Sequence, residues 1–273
     1  MIFVLVFVLG AIIGSFFNVV LLRKNTGESI IFMGSRCFSC GKKLAWWQNI
    51  PILSFIFLRG RCFYCGSRIS WQYPIVEFLV GLLAVAVYWR VWGIGSILIP
   101  APTLFDVSMK GAEKTINHLL FFSAFSALFL VAAYDFRTKI IDSHFLYIFG
   151  AFAAVEFLLR YPAGGIAGDL VSSFSIALFF YLLWRFSGGR WMGRGDANLA
   201  FFISLFLGWP MNSAALFVSF WLGGAVGILL LIFKSGKFGL KSEIPFGPFM
   251  ASAAFVVWYF GDFFRELIKA FVL

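Results

Sequence analysis

Two kinds of residue in this 273-residue chain combine type and spacing in a way that can do chemistry: its cysteines and a few of its acids. All four cysteines fall in one segment, as Cys37 and Cys40 in "CFSC" and Cys62 and Cys65 in "CFYC", with 21 residues between the pairs. Four thiolates so arranged can surround one Zn2+ tetrahedrally at ~2.3 Å per bond. A full set of four protein ligands leaves no open position for water, so such a zinc is structural. Each pair is followed by a glycine, Gly41 and Gly66, the residue that a tight turn favours. The competing readings are disulfide bonds, a single redox pair, or inert cysteines. A cytoplasmic location is reducing and works against the disulfides. A segment of roughly fifty residues has little core of its own, and a metal staple is physically useful there.

The chain has twelve Asp and Glu residues, and two stand apart. Asp135 follows the apolar "FLVAAY" in "YDFRTKIID", and Asp196 lies in "GRGD" just before "ANLAFF". A carboxylate near hydrocarbon is costly unless it is paired, hydrated or protonated, and is a functional candidate by default. Two carboxylates brought within reach of each other cannot both ionise easily. The charged one can take a proton from water, and the protonated one can hydrogen-bond a carbonyl. Gly193 and Gly195 are expected to supply unusual backbone angles and to let a peptide backbone approach Asp196. The plainer alternatives are an N-cap for Asp196 and an ion pair of Asp135 with Arg137 or Lys139. Asp142 is a rival first acid, and it reads best as the N-cap of the segment "DSHFLYIF".

The elements that must position these groups are membrane spans. The chain is 62% hydrophobic and 12% charged, with mean hydropathy +0.94, where a soluble domain carries about 25% charged residues. Apolar stretches of a length near ~20 residues occur at roughly 2–22, 75–99, 117–136, 143–160, 166–186, 197–209, 213–233 and 247–268. The fold expected is an all-α polytopic membrane protein of about eight transmembrane helices plus a small cytoplasmic zinc-ribbon-like module. The expected divisions are a first span over 1–22, the tetracysteine module over 23–74, and the remaining spans with the acidic pair over 75–273. No basic residue precedes the first stretch, which reads as a retained span rather than a cleaved signal. No internal repeat is evident. The segments 23–74, 137–142, 187–196 and 234–246, with Arg185, hold 16 of the 22 Lys and Arg residues, against 6 on the other side. That asymmetry places those segments in the cytoplasm and both termini outside. It also assigns the net charge of +10 to anionic membrane lipids rather than to nucleic acid.

Taken together, the pieces resemble the bacterial type IV prepilin peptidase family, membrane aspartic peptidases of the Gly-x-Gly-Asp kind. The resemblance runs through "GSFFNVVLLR", the long stretch from Ser35 to Glu77 with both cysteine pairs and "WWQNIP", then "YDFRTKIID", "GRGDANLAFFISLFLGW" and "EIPFGPFMASAAF". It implies removal of the leader of prepilins or pseudopilins, of pilus or type II secretion systems, after a glycine at the cytoplasmic face of the inner membrane. It also implies N-methylation of the new amino terminus with S-adenosylmethionine. Carried over by position, Asp135 and Asp196 are the catalytic pair, and Cys37, Cys40, Cys62 and Cys65 the zinc ligands. Gly60 and Arg61 match a Gly-basic pair linked to methyl transfer. The chain departs from the family pattern at Lys24-Asn25, at Ile141 where proline is usual, and at Asn198 where lysine is usual.

His118 and His144 read as structural. "WWQN" suits an interfacial aromatic belt, or a seat for S-adenosylmethionine. "EIPFGPF" is broken backbone, tolerated at membrane depth only where buried or lining a cavity, and is expected near the acidic pair. Three rivals remain at this stage: a peptidase that no longer methylates, a transporter with a zinc module, and a membrane thiol oxidoreductase. Oligomeric state is not legible.

Overall fold

The computed structural model describes residues 1–27, 29–30, 34–92, 111–160, 166–233 and 244–272. The final part of the second expected span (93–99) and the basic residues Lys234, Lys237 and Lys241 lie outside the described residues. The chain forms two compact units, Met1–Ile94 and Gly95–Leu273. Among the described residues there is no β-strand, only two isolated antiparallel bridges.

The first unit contains α1 (Ile2–Arg23), a 3-10 turn (Trp46–Asn49), a short α2 (Leu53–Phe57) and α3 (Gln72–Trp92). Helices α1 and α3 run antiparallel along their length, because small residues face each other. A Cβ on Gly10 would lie 2.7 Å from Ala84 Cβ, and one on Gly14 would lie 2.8 Å from Glu77 Cα. Between lipid-facing helices such close approach supplies the van der Waals contact that the hydrophobic effect does not. Buried polar side chains tie the intervening segment to the two helices. Arg23 donates to the carbonyls of Ser29 and Gly34, each at 3.0 Å. Asn18 donates to Tyr73 O at 3.2 Å, and Glu77 accepts the Ile52 N–H at 2.7 Å.

The second unit contains α4 (Gly111–Thr138), α5 (Ser143–Arg160), α6 (Ile166–Ser187), α7 (Arg194–Leu207), α8 (Met211–Phe233), α9 (Gly247–Tyr259) and α10 (Gly261–Val272). Helix α7 is the centre of the unit and packs against α5, α6, α8 and α9. Phe206, buried at its end, meets Phe121 and Phe125 of α4 and Phe149 of α5 at 5.3–6.0 Å between ring centroids. Gly150 of α5 leaves the room that the Phe202 ring takes, since a Cβ there would lie 2.7 Å from it.

Six helices, α1, α3, α4, α5, α6 and α8, are long and apolar enough to cross a membrane. The two other expected spans are helical but shorter. Helix α7 has 14 residues, about 21 Å at the helical rise. The last expected span, 247–268, is a correction: it divides into α9 and α10 at Phe260. Helix α10 carries Arg265, Glu266 and Lys269 among its aromatic and aliphatic residues, and its Phe264 and Ile268 pack on Met211 and Val257.

Candidate functional site

In the first unit the four cysteine sulfurs lie within 4.8 Å of one another, and none is in a disulfide. Each pair sits in the same small knuckle. The Cys37 N–H donates to Lys42 O and the Cys62 N–H to Ser67 O, at 3.0 and 2.8 Å. The bridges Arg36–Lys43 and Arg61–Arg68 close the two knuckles at identical spacing. Gly41 and Gly66, both at φ +70°, make the turns. The expectation of no internal repeat is therefore corrected. "RCFSCGKKL" and "RCFYCGSRI" are two copies of one turn, alike at Arg, Cys, Phe, Cys and Gly.

The cluster suits a tetrahedral cation. Sulfurs bonded at ~2.3 Å to one metal stand about 3.8 Å apart, and Cys37 Sγ and Cys65 Sγ are 3.9 Å apart. Burial works against the Cys37 thiolate, but the N–H groups of Cys40 and Ser39 outweigh it and bring its pKa down to about 6. The Lys42 N–H favours the Cys40 thiolate, yet desolvation and the neighbouring Cys37 and Cys65 push that pKa up to about 11. Four thiolates this close need a positive charge among them.

Gly60 and Arg61 lie between α2 and the second knuckle. Gly60 has φ +68°, its N–H caps α2 through Phe55 O at 2.9 Å, and a Cβ would lie 3.1 Å from the Phe55 ring. Glycine is thus required here by backbone and by space. Trp46 of "WWQN" is 80% exposed, and Trp47 meets Phe63 of the second knuckle edge-on at 5.4 Å.

In the second unit, Asp135 and Asp196 are brought to one end of the helix bundle. Asp135 lies in the last turn of α4, 4% exposed, and Asp196 is the third residue of α7, 7% exposed. Each is oriented by a glycine N–H. Gly247, the first residue of α9, donates to Asp135 Oδ2 at 3.1 Å, and Gly193 donates to Asp196 Oδ2 at 2.8 Å. Among the described residues neither carboxylate forms an ion pair with Lys or Arg. Ile141, six residues after Asp135, packs against Gly195 beside Asp196, which places both acids at this end. The expected location of "EIPFGPF" beside the acids is met at Asp135 by Gly247, while no sequence signal pointed to that N–H as its donor.

Two expectations about this region change. Asp196 is not the N-cap; Gly193 is, and Asp196 reaches back to it from the third helical position. Gly193 and Gly195 also have ordinary backbone angles, Gly193 at φ −78° and Gly195 within the helix. Gly195 is needed for space, because a Cβ would lie 3.0 Å from Ile141 Cβ. The room beside Gly195 is taken by the α4–α5 link. Asp142 caps α5 as expected, accepting the His144 N–H at 2.9 Å and the Phe145 N–H at 3.4 Å.

At the other end of α7 lies a charged cluster that the sequence reading missed. Arg160 donates to Asp169 at 3.3 Å, to Glu156 at 3.5 Å and to the Phe206 carbonyl, and Asp169 accepts the Trp209 N–H at 2.8 Å. The signal was three charges inside apolar segments, spread over two helices.

The sequence profile of the bacterial peptidase A24 N-terminal domain matches residues 8–91, and that of the type IV leader peptidase family matches residues 122–228. A protein of Myxococcus xanthus named prepilin leader peptidase/N-methyltransferase is 32% identical over 242 residues, 88% of this chain and 66% of that protein. Proteins with the same name from Pseudomonas aeruginosa and Bacillus subtilis are 27% and 30% identical. The first alignment covers 93% of this chain and 89% of the relative, the second 94% of each. No solved structure matches the chain.

Proposed function

The chain belongs to the type IV leader peptidase family, and from that premise we propose that it removes the leader peptide of type IV prepilins or pseudopilins and methylates the amino group so exposed. The observation that carries the peptidase reading is the pair of buried acids. Asp135 and Asp196 come from two helices, lie at the same end of the bundle and are each held by a glycine N–H rather than by a cation.

Such a pair shares one proton, because like charges so placed resist double ionisation. The ionised aspartate accepts a proton from a water held between the carboxyls. That water attacks the scissile carbonyl carbon, on the carboxyl side of a glycine. The protonated aspartate donates to the carbonyl oxygen as the tetrahedral intermediate forms. Collapse breaks the C–N bond, the proton taken from water passes to the departing amine, and the intermediate's hydroxyl proton returns to the second aspartate as the carbonyl re-forms. Gly247 and Gly193 each occupy one oxygen of a carboxyl, Oδ2 in both, and leave the other oxygen, Oδ1, for water or substrate.

The methyl donor is S-adenosylmethionine, as the relatives' names imply, and Gly60 and Arg61 are proposed to serve that step. Cys37, Cys40, Cys62 and Cys65 would hold Zn2+, which would staple the module that presents them. The short helices α7 and α9 are read with the six long ones as eight spans of an inner-membrane protein, its acids facing the cytoplasm. The test is cleavage of a purified prepilin by the protein in liposomes, comparing wild type with Asp135→Asn and Asp196→Asn. Each variant, folded and metal-loaded, is expected to lose cleavage. If both cut normally, the aspartic reading fails. Mass analysis of the mature amino terminus reads the methyl group in the same samples.

A further inference from the structure

Within the first unit, α2, the loop after it and the start of α3 line an open groove of about 870 Å3, within the size range of small-molecule sites. One side is cationic. Arg59, Arg61 and Arg68 line it and are exposed, and no Asp or Glu does. Among the described residues none of the three guanidinium groups is paired with a carboxylate. The other side is apolar and belongs to a helix long and apolar enough to cross a membrane: Ile75, Phe78 and Leu79 of α3 line the groove at 50, 48 and 44% exposure. Trp71, 69% exposed, stands at the junction, one residue before α3 begins, where interfacial aromatic residues collect.

The backbone holds this arrangement against its own preferences. Arg59 has φ +51° and Ile52 has φ +61°, both in the left-handed region that side chains avoid and that clusters at binding sites. The Glu77 carboxylate holds the Ile52 N–H at 2.7 Å.

We propose that this groove binds one anionic glycerophospholipid, its phosphate between Arg59 and Arg68 and its acyl chains along Ile75, Phe78 and Leu79. A molecule with a negative head and an apolar body matches the groove's two sides at the level where α3 starts. A basic leader peptide is repelled by the arginines. The assignment needs only that α3 crosses a membrane, and it is independent of the reaction at Asp135 and Asp196.

The experiment is native mass spectrometry of the full-length protein in detergent, titrated with phosphatidylglycerol and phosphatidylcholine of equal chain length. Each basic residue near an anionic headgroup is worth about fivefold in binding. Wild type is expected to retain phosphatidylglycerol over phosphatidylcholine, with the preference falling about 25-fold in Arg59→Gln/Arg68→Gln. The charge-preserving Arg59→Lys/Arg68→Lys pair is expected to keep most of it, which separates lost charge from a damaged fold. Arg185→Gln/Arg190→Gln, in the second unit, is expected to leave the preference unchanged. Equal retention of both lipids by wild type overturns the proposal. So does an unaltered preference in the Gln pair. S-adenosylmethionine binding that vanishes in the Gln pair, with no lipid preference in wild type, overturns it in favour of the methyl donor.

Discussion

Gly247→Ala tests whether the position of Asp135, rather than its mere presence, matters. A Cβ on residue 247 would lie 2.5 Å from Asp135 Oδ2 and 3.2 Å from its Cγ, against an ordinary contact of 3.4 Å or more. The carboxylate is the movable partner, because Gly247 opens α9 and Pro248 follows it. Asp135 must therefore retreat by about 1 Å and surrender the Gly247 N–H hydrogen bond of 3.1 Å. Loss of that bond costs about 1–3 kcal/mol. A reacting group displaced by about 1 Å loses on the order of 10²-fold in rate, or about 2.7 kcal/mol of barrier. The expected result is a kcat for prepilin cleavage lowered about a hundredfold with KM nearly unchanged, since the change displaces a reacting group and leaves the rest of the chain in place. Gly224→Ala in α8, where a Cβ meets open space, is the matched control and is expected to cleave normally. A Gly247→Ala enzyme within threefold of wild type would refute the placement of Asp135 by Gly247. A raised KM with kcat intact would mean instead that residue 247 touches the substrate.

The other predictions are shorter. Asp142→Asn is expected to cleave at the wild-type rate and Asp142→Ala to lose about 1 kcal/mol in thermal unfolding, because residue 142 acts as an N-cap; abolished cleavage in Asp142→Asn would move the first acid there. Metal analysis of the purified protein is expected to find one zinc per chain, lost in a Cys37→Ser/Cys62→Ser variant, with prolonged chelation making the module protease-sensitive. Arg160→Met leaves Glu156 and Asp169 buried without their cation, and is expected to lower stability by about 3–5 kcal/mol; an unchanged melting temperature would show that the cluster is hydrated rather than closed.

Much of the architecture could be read from hydropathy because the physics is local. An apolar run must hydrogen-bond its own backbone in lipid and becomes a helix, which is how α1, α4, α5, α6 and α8 announce themselves. The break at Phe260 was not legible: Gly261 and Asp262 are too slight a polar interruption within the apolar segment, and only the packing of Phe264 and Ile268 onto α8 and α9 rewards the turn. The knuckle repeat is written in the sequence as Arg-Cys-Phe-x-Cys-Gly in both copies, and the structure adds that both take the same backbone path.

Residue type and spacing alone pointed to the four cysteines as a cluster, to the apolar helices and to the two acids worth suspecting. Those follow from thiolate chemistry, from the cost of bare peptide groups in lipid and from the cost of charge near hydrocarbon. Tertiary structure decided which partners those groups have. It set Gly247 against Asp135 across 112 positions of chain, put Ile141 in the space beside Gly195, and gathered Arg160, Glu156 and Asp169 at the far end of α7. No local rule reaches that far, because the contacts depend on how neighbouring helices close on one another, and that is settled by packing shape rather than by the composition of any one segment.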